Sequence, residues 1–378
     1  MVVSILMWLI FSVTVLYIIV IGIITYGWFV NNKHVINNCT EGIKVSIVIA
    51  VRNEESNIQK LLQQLVNQDY SSSFYEIIIV NDHSTDNTFQ MVNDFAADNP
   101  IITIRVINAL QNGKKSALKD GIAISGAELI VTTDGDCNLK QGWLSSVVSY
   151  YKSSGCKVVL GPVVYSDEKT IWQKLFTLEF ASLVASGAGA ASTRLPLMGN
   201  GANLAFTRDA YNSVKNMGKG DNYASGDDVF LIHSITKKFG ARYVGFLQNK
   251  DAIVTTLPPT GLSQFFKQRI RWASKSTGYT LLWPIIVTLA VFVFNLILFA
   301  LLVGSIFYTW LLPIYFLLIF TKLITDSPIV FSFLSFAGKS NLKPLFLLLE
   351  FIYPIYIVIA AIISFTGNFE WKERDNLN

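Results

Sequence analysis

Glu76-Ile-Ile-Ile-Val-Asn-Asp-His-Ser-Thr-Asp86 decides how this chain reads. A short run of branched apolar residues, closed by small polar ones, describes a buried strand and the turn that follows it. Asp82 then stands at the strand's C-terminal end, where open α/β sheets bind nucleotides. Upstream, Val45–Val51 is a second such run, followed by Glu54–Asn67 with Ile58, Leu61, Leu62 and Leu65 at helical spacing. Downstream, Thr85–Ala96 reads as a helix, Ile101–Ile107 as a strand, Lys114–Ser125 as a helix and Glu128–Thr132 as a further strand. That strand ends in Asp134-Gly135-Asp136. The alternation predicts an α/β fold with a doubly wound, mainly parallel sheet over residues 43–258. Beyond Lys140 it becomes irregular. Ser186–Ser192 reads as a flexible small-residue segment and Met198–Asn203 as a loop; such segments either line an acceptor site or simply connect elements.

The ends of the chain are of another kind. Hydrophobic residues make up 52% of the sequence and charged ones 15%, against about 25% charged in soluble domains. Val2–Val30 has no Asp, Glu, Lys or Arg and exceeds the roughly 20 residues that cross a bilayer. Lacking a basic n-region and a clear cleavage site, it reads as a retained transmembrane helix over residues 1–30. Leu281–Thr321 is again uncharged and long enough for two spans with a break near Gly304 and Ser305. Pro344–Phe369 is interrupted only by Glu350. The expected block at 278–369 therefore holds about three spans, with Ser327–Gly338 too short to cross and a polar tail at 370–378. Asn295 and Glu350 are the polar groups expected inside the spans. Lys33, Lys339 and Lys343 place the central domain on the cytosolic side of the cell membrane.

A net charge of +4 without a basic arm argues against a nucleic-acid partner. The 3 cysteines, Cys39, Cys137 and Cys156, have no metal-ligand spacing and read as free thiols in a reducing compartment. His34, His83 and His233 are too scattered for a zinc site.

The acidic groups carry the chemistry. Asp134 and Asp136, one residue apart after a strand, suit a hard cation such as Mg²⁺ or Mn²⁺ shared with phosphate oxygens; the alternative is an acidic loop capping the next helix. Asp82 can hydrogen-bond a base or ribose, and Asp86 can cap a helix. Asn53 and Glu54 are similar ligand or capping candidates. Lys114, opening a helix after Gly113, suits a diphosphate, or with Lys115 is a solvated pair. Asp227 and Asp228 precede an apolar helix. One can deprotonate an acceptor hydroxyl, while the other suits the helix N-terminus. Gln264–Trp272 mixes aromatic and basic residues at helical spacing and predicts an interfacial amphipathic helix over 259–277. Within it Gln268, Arg271 and Trp272 offer a cation for a leaving diphosphate and a ring for sugar stacking, or an interfacial anchor.

This ordered set resembles the membrane-integrated family-2 glycosyltransferases of GT-A fold, the branch of cellulose, chitin, hyaluronan and poly-N-acetylglucosamine synthases and ceramide glucosyltransferases. Ser46–Glu54 is similar to the family's opening strand and Asn-Glu turn, and Val80–Asp86 to its nucleoside motif. Asp134-Gly-Asp136 matches its metal triplet, Gly226-Asp-Asp228 its base motif, and Gln268-x-x-Arg271-Trp272 its signature. The resemblance implies that Asp82 binds uridine, Asp134 contacts the nucleotide and Asp136 ligates the metal. It further implies that Asp228 is the general base and that Gln268, Arg271 and Trp272 close over donor and acceptor. Asn81 stands where an aspartate is frequent, Asp227 where a glutamate is, and Lys119 where an asparagine is, which loosens inference about the sugar.

The expectation is an inverting, metal-dependent transferase moving a sugar from a UDP-sugar to a lipid-linked or glycolipid acceptor, with a possible export or assembly partner. Processive polysaccharide synthesis is the competing activity. A non-catalytic assembly subunit and a transporter are the competing classes, and the full set of carboxylates disfavours the former.

Overall fold

The computed structural model describes residues 2–31, 42–215, 226–364, 369–371 and 374–376. Along the chain the first elements are α1 (Val2–Val30), β1 (Val45–Val51), α2 (Ile58–Val66), β2 (Tyr75–Asn81), α3 (Thr88–Asp98), β3 (Thr103–Asn108), α4 (Lys114–Ile124) and β4 (Leu129–Thr132). Next come α5 (Trp143–Ser154), β5 (Val158–Leu160), β6 (Val163–Tyr165), α6 (Ile171–Ser192), β7 (Leu204–Thr207), α7 (Arg208–Val214) and α8 (Asp227–Phe239). The last are β8 (Val244–Phe246), β9 (Val254–Thr256), α9 (Leu262–Ser274), α10 (Leu282–Gly304), α11 (Leu311–Phe336), α12 (Phe346–Ser364), β10 (Phe369–Trp371) and β11 (Arg374–Asn376). Two compact units result. A sheet unit comprises Asn31–Asp167 and Met198–Leu257, and a helical unit Met1–Val30, Glu168–Leu197 and Pro258–Leu377. The segment Glu168–Leu197, inside the 43–258 stretch, thus groups with the helices.

In the sheet unit seven strands run in the order β3-β2-β1-β4-β7-β5-β8. β1 is parallel to both β2 and β4, and β2 to β3; β7 is antiparallel to β4 and β5, and β8 parallel to β5. The expected doubly wound, mainly parallel sheet is therefore present. Its strands are apolar without alternation because layers cover both faces: Ile47, Val48, Ile49, Ile77, Ile78, Ile79, Ile130 and Val131 are wholly buried. On α4, a Cβ at Gly121 would lie 2.6 Å from Val48 and 2.8 Å from Val80, so a bare backbone lets this helix settle on β1 and β2. The strand order reverses between β1 and β4, which makes the crevice beyond their C-terminal ends the topological switch point. A small parallel pair, β6 and β9, joins that rim through a bridge between Asn138 and Thr255.

Among the described residues the helical unit contains five helices long and apolar enough to cross a membrane: Ser4–Val30, Ile171–Ser192, Leu282–Gly304, Leu311–Phe336 and Ser340–Ile363. One N-terminal and several C-terminal apolar helices were expected, and α10 ends at Gly304 where the break was read. Two expectations are corrected. Ser327–Gly338 is no separate short piece, because α11 runs unbroken to Phe336. Its charges do not interrupt it because they are neutralised in place. Lys322 Nζ donates to Asp326 Oδ2 at 2.7 Å and to Glu350 Oε2 at 2.5 Å, and the Tyr17 hydroxyl reaches both oxygens of Asp326 at 2.8 and 2.7 Å. Lys322 and Asp326 thus join Asn295 and Glu350 as polar groups within apolar helices. Ser186–Ser192, expected to be flexible, instead forms the last turns of α6. A Cβ on Gly189 would lie 2.0 Å from the Ile24 carbonyl oxygen, and one on Gly27 2.0 Å from that of Gly189. The small residues let α1 and α6 touch backbone to backbone. In the tail, β10 and β11 pair antiparallel.

Candidate active site

The loops after β1, β2 and β4 meet at the switch point. Asn53 adopts φ 52°, donates its N–H to Ser84 Oγ at 3.1 Å and accepts from the Thr85 N–H at 2.9 Å. The Glu54 N–H donates to Thr88 Oγ1 at 2.7 Å, and its carboxylate accepts from Asn57 at 2.9 Å. A Cβ on Gly135 would stand 2.9 Å from Glu54 Cγ, so the glycine between the two aspartates is what lets the β4 loop approach the β1 loop. Asn53 and Glu54 therefore knit the rim together. Asp86 accepts from the Thr88 and Glu55 N–H groups at 3.0 and 3.1 Å and so serves the first turn of α3, the capping role read for it. Burial pushes its carboxyl up, but these hydrogen bonds outweigh that and hold it below the usual aspartate value.

Asp82 is wholly buried. Its Oδ1 accepts from the Gly113 N–H at 2.9 Å, and its own N–H donates to the Val51 carbonyl at 2.8 Å. Gly113 has φ +111°, a conformation that favours glycine. Asp82 thereby fixes the residue from which α4 and Lys114 start.

Lys114 makes an ion pair with Asp134. Burial alone would lower its pKa, but Asp134, then Asp228 and Asp136, outweigh it and hold the ammonium above the usual lysine value. Four residues, from the loop after β4 and the starts of α4 and α8, thus share one electrostatic neighbourhood. Asp136 Oδ2 accepts from the Thr256 hydroxyl of β9 at 3.3 Å. Asp228 sits in the first turn of α8 with each oxygen engaged: Oδ1 accepts from the Val229 N–H at 2.8 Å and Oδ2 from the Gly201 N–H at 3.2 Å. The side chain of Asp227 lies outside the described residues. Cys137, next to Asp136, is buried; burial first, then Asp134 and Asp136, push its thiol well up. Cys137 and Cys156 are both free and buried, while Cys39 lies outside the described residues.

A divalent cation fits this donor set in one way. Among the described residues no three His, Cys, Asp or Glu side chains converge into a protein-only cage. Asp136, with Asp134 one residue away, offers hard carboxylate oxygens, and Mg²⁺ is commonly held by one or two carboxylates plus substrate phosphates.

Gln268, Arg271 and Trp272 all lie on α9, in the helical unit. There the structure adds a partner that sequence reasoning missed. Arg269 is 5% exposed and grips Glu179 of α6 through Nε at 3.0 and 2.9 Å and through Nη2. The Tyr356 hydroxyl of α12 donates to the same carboxylate at 2.7 Å. The sequence signal for Glu179 was available, since it is the one acidic residue in the apolar run Ile171–Ser192. Gly201 and Thr256, which steady Asp228 and Asp136, carried no such signal.

Acidic groups at the ends of β2 and β4 stand around the switch point of a mainly parallel sheet, with Lys114 among them, in an α/β fold of GT-A type. Residues 46–212 match the sequence model of glycosyl transferase family 2. It is 34% identical over 122 residues to the glycosyltransferase AglE of Haloferax volcanii, covering 32% of this chain and 40% of that one. Over 247 residues it is 25% identical to a poly-β-1,6-N-acetyl-D-glucosamine synthase of Staphylococcus epidermidis, covering 65% and 58%. The chain thus spans about half the length of these relatives. The mannosyltransferase PcManGT of Pyrobaculum calidifontis, solved with GDP-Man and Mn²⁺, shares the fold with a TM-score of 0.62 and 18% identity over 94% of this chain and 96% of that one.

Proposed function

We propose that the protein transfers a sugar from a UDP-sugar to a lipid-linked or glycolipid acceptor, with inversion, at the cytosolic face of a membrane. The observation that carries this reading is Lys114 held among Asp134, Asp136 and Asp228 at the switch point. Asp82 and Asp134 bind the nucleoside side of the donor. Asp136, with Asp134 beside it, would hold a divalent cation, which would supply positive charge to the diphosphate. The Lys114 ammonium exchanges its carboxylate partner for a diphosphate oxygen and offsets the charge that grows there. Asp228, fixed by the Gly201 and Val229 N–H groups, takes the proton of the acceptor hydroxyl. The freed oxygen attacks the anomeric carbon from the face opposite the diphosphate, and the bond to phosphate breaks with its electron pair leaving on UDP. An α-linked donor gives a β-linked product. Asn53 and Glu54 support the donor loops, Asp227 is assigned to the donor by its sequence motif, and the sequence signature assigns Gln268, Arg271 and Trp272 to the same reaction.

The membrane arrangement follows from physical limits. β4 and β7 are hydrogen-bonded neighbours, yet α6 lies between them in sequence. If α6 crossed a bilayer, the chain would have to recross it as non-helical backbone before β7, leaving polar groups unsatisfied in hydrocarbon. We therefore assign the spans to α1, α10, α11 and α12 and pack α6 among them. Lys339, between α11 and α12, pairs with Glu168 at 2.6 Å, and Glu168 directly follows the last residue of the first sheet segment. Positive-inside reasoning for Lys339 and Lys343 then puts the sheet unit in the cytosol.

Likeness to poly-β-1,6-N-acetyl-D-glucosamine synthase over 65% of this chain favours a second reading, processive synthesis. The test is nucleotide release by the purified protein across UDP- and GDP-sugars with Mg²⁺ or Mn²⁺, with and without membrane lipid. Release that needs metal, Asp136 and Asp228 supports the transferase. Dependence on added lipid selects single transfer, and a lipid-independent high-mass product selects the synthase. Equal release by Asp228→Asn would overturn the assignment.

A further inference from the structure

Arg269 lies inside the signature but is not one of its defining residues, and it is a buried side chain of α9. Its guanidinium faces the carboxylate of Glu179 and also donates to Gln268 Oε1 at 2.5 Å. The same planar group sits 4.3 Å from the ring centroid of Trp272 and 4.6 Å from that of Phe265. Phe180, the residue after Glu179, packs its ring 5.8 Å from Trp272, and Phe176 stacks on Phe265 at 4.2 Å. Two signature side chains, Gln268 and Trp272, therefore both touch one buried cation, and a carboxylate on α6 grips that cation. Tyr356 then ties the carboxylate to α12.

Such an arrangement does more than a salt link that merely holds two helices. Packing of α9 on its neighbours is already supplied by the apolar cluster of Phe176, Phe265, Tyr356 and Ala360. Well-packed apolar residues commonly replace a buried ion pair without loss of stability. What apolar residues cannot replace is a fork-shaped donor that meets the Gln268 amide oxygen on one edge and the Trp272 π-face on its plane.

We infer that Glu179 is a positioning residue for the Gln268–Trp272 signature, acting through Arg269. It sets the rotamers of Gln268 and Trp272 and does not itself touch donor or acceptor. This inference rests on the transferase reading above.

The test uses the full-length protein in detergent or nanodiscs, with turnover taken per folded molecule. Variants are Glu179→Gln, Glu179→Asp and the pair Glu179→Met with Arg269→Met, alongside wild type and Asp228→Asn. Misplacing reacting groups by about 1 Å costs on the order of 100-fold in rate. Glu179→Gln is expected to lose kcat on that scale, with donor KM little changed. Glu179→Asp, which keeps the charge, regains part of it. The double Met variant is expected to recover thermal stability but not kcat, a separation that a purely structural pair would not produce. Wild-type kcat in Glu179→Gln, or in the double variant, would overturn the positioning role while leaving the transferase intact. Absence of any Asp228-dependent release from wild type would instead remove the transferase reading, and this inference with it.

Discussion

Lys114 carries one positive charge among Asp134, Asp136 and Asp228, so its removal should be felt twice. Lys114→Met leaves like charges facing each other and deprives a bound diphosphate of a cation. Turnover is expected to fall by about 10²-fold or more, as for the loss of one preorganised charge-stabilising donor. Because the folded pKa is raised, the charge stabilises the fold fully below the ordinary lysine value and stops doing so as pH rises through the folded value. The gap in thermal midpoint between wild type and Lys114→Met should hold steady from pH 6 to 9 and close only above about pH 10.4. For Asp86 the sign is opposite, since its folded pKa is lowered. Asp86→Ala should cost about 0.5–2 kcal/mol, as caps do. That cost should be constant above about pH 5 and vanish as pH falls through the folded value. The hydrogen bonds of Asp86 to the start of α3 and the placement of the carboxylates at strand ends are legible because each depends on a few adjacent residues. Gly201 holding Asp228, or Glu179 holding Arg269, was not legible, because each pairing spans tens of residues and a glycine N–H leaves no trace in a pattern of side chains.

Elements whose boundaries are set by local sequence were read closely, and those set by a distant partner were not. β1, β2 and β4 announced themselves as apolar runs stopped by polar turns. The end of α6 looked like a loop because Gly, Ala and Ser lower helix propensity in isolation, yet against α1 they are what permits contact. Gly189→Val should therefore break that crossing at a cost of about 1–3 kcal/mol or more. A fall in thermal midpoint and in folded yield from detergent would report it. Gly22→Ala, on the same α1 with nothing within 4 Å of its added Cβ, should leave both unchanged. Likewise the uncharged run Leu281–Thr321 ends at Lys322, although α11 continues to Phe336. Tyr17 and Glu350, the partners of Asp326 and Lys322, lie on α1 and α12, outside any local window.

At the scale of the molecule, the chain composes each unit from separated segments. That is why composition separates apolar ends from a charged middle but does not tell which helix belongs with which unit. The Lys322 cluster binds α1, α11 and α12 at their polar centre. Lys322→Met leaves Asp326 and Glu350 without their cation and should destabilise the helical unit by about 3–5 kcal/mol. Adding Asp326→Asn and Glu350→Gln should restore most of it. Thermal scans of the solubilised protein would measure both. If Lys322→Met alone were neutral, the cluster would contribute nothing to holding these helices together.

The bond from Tyr17 to Asp326 spans 309 residues of sequence. At about 5–20 residues per second of synthesis, the first helix waits roughly 15–60 s on the ribosome-bound chain before its partner exists. It must therefore be stable alone in lipid for that interval. Its 27-residue span, with a mean hydropathy of 2.7 over its apolar window, makes it so, leaving the Tyr17 hydroxyl and the Trp28 indole N–H to be matched by Asp326 and Ser332 when α11 arrives.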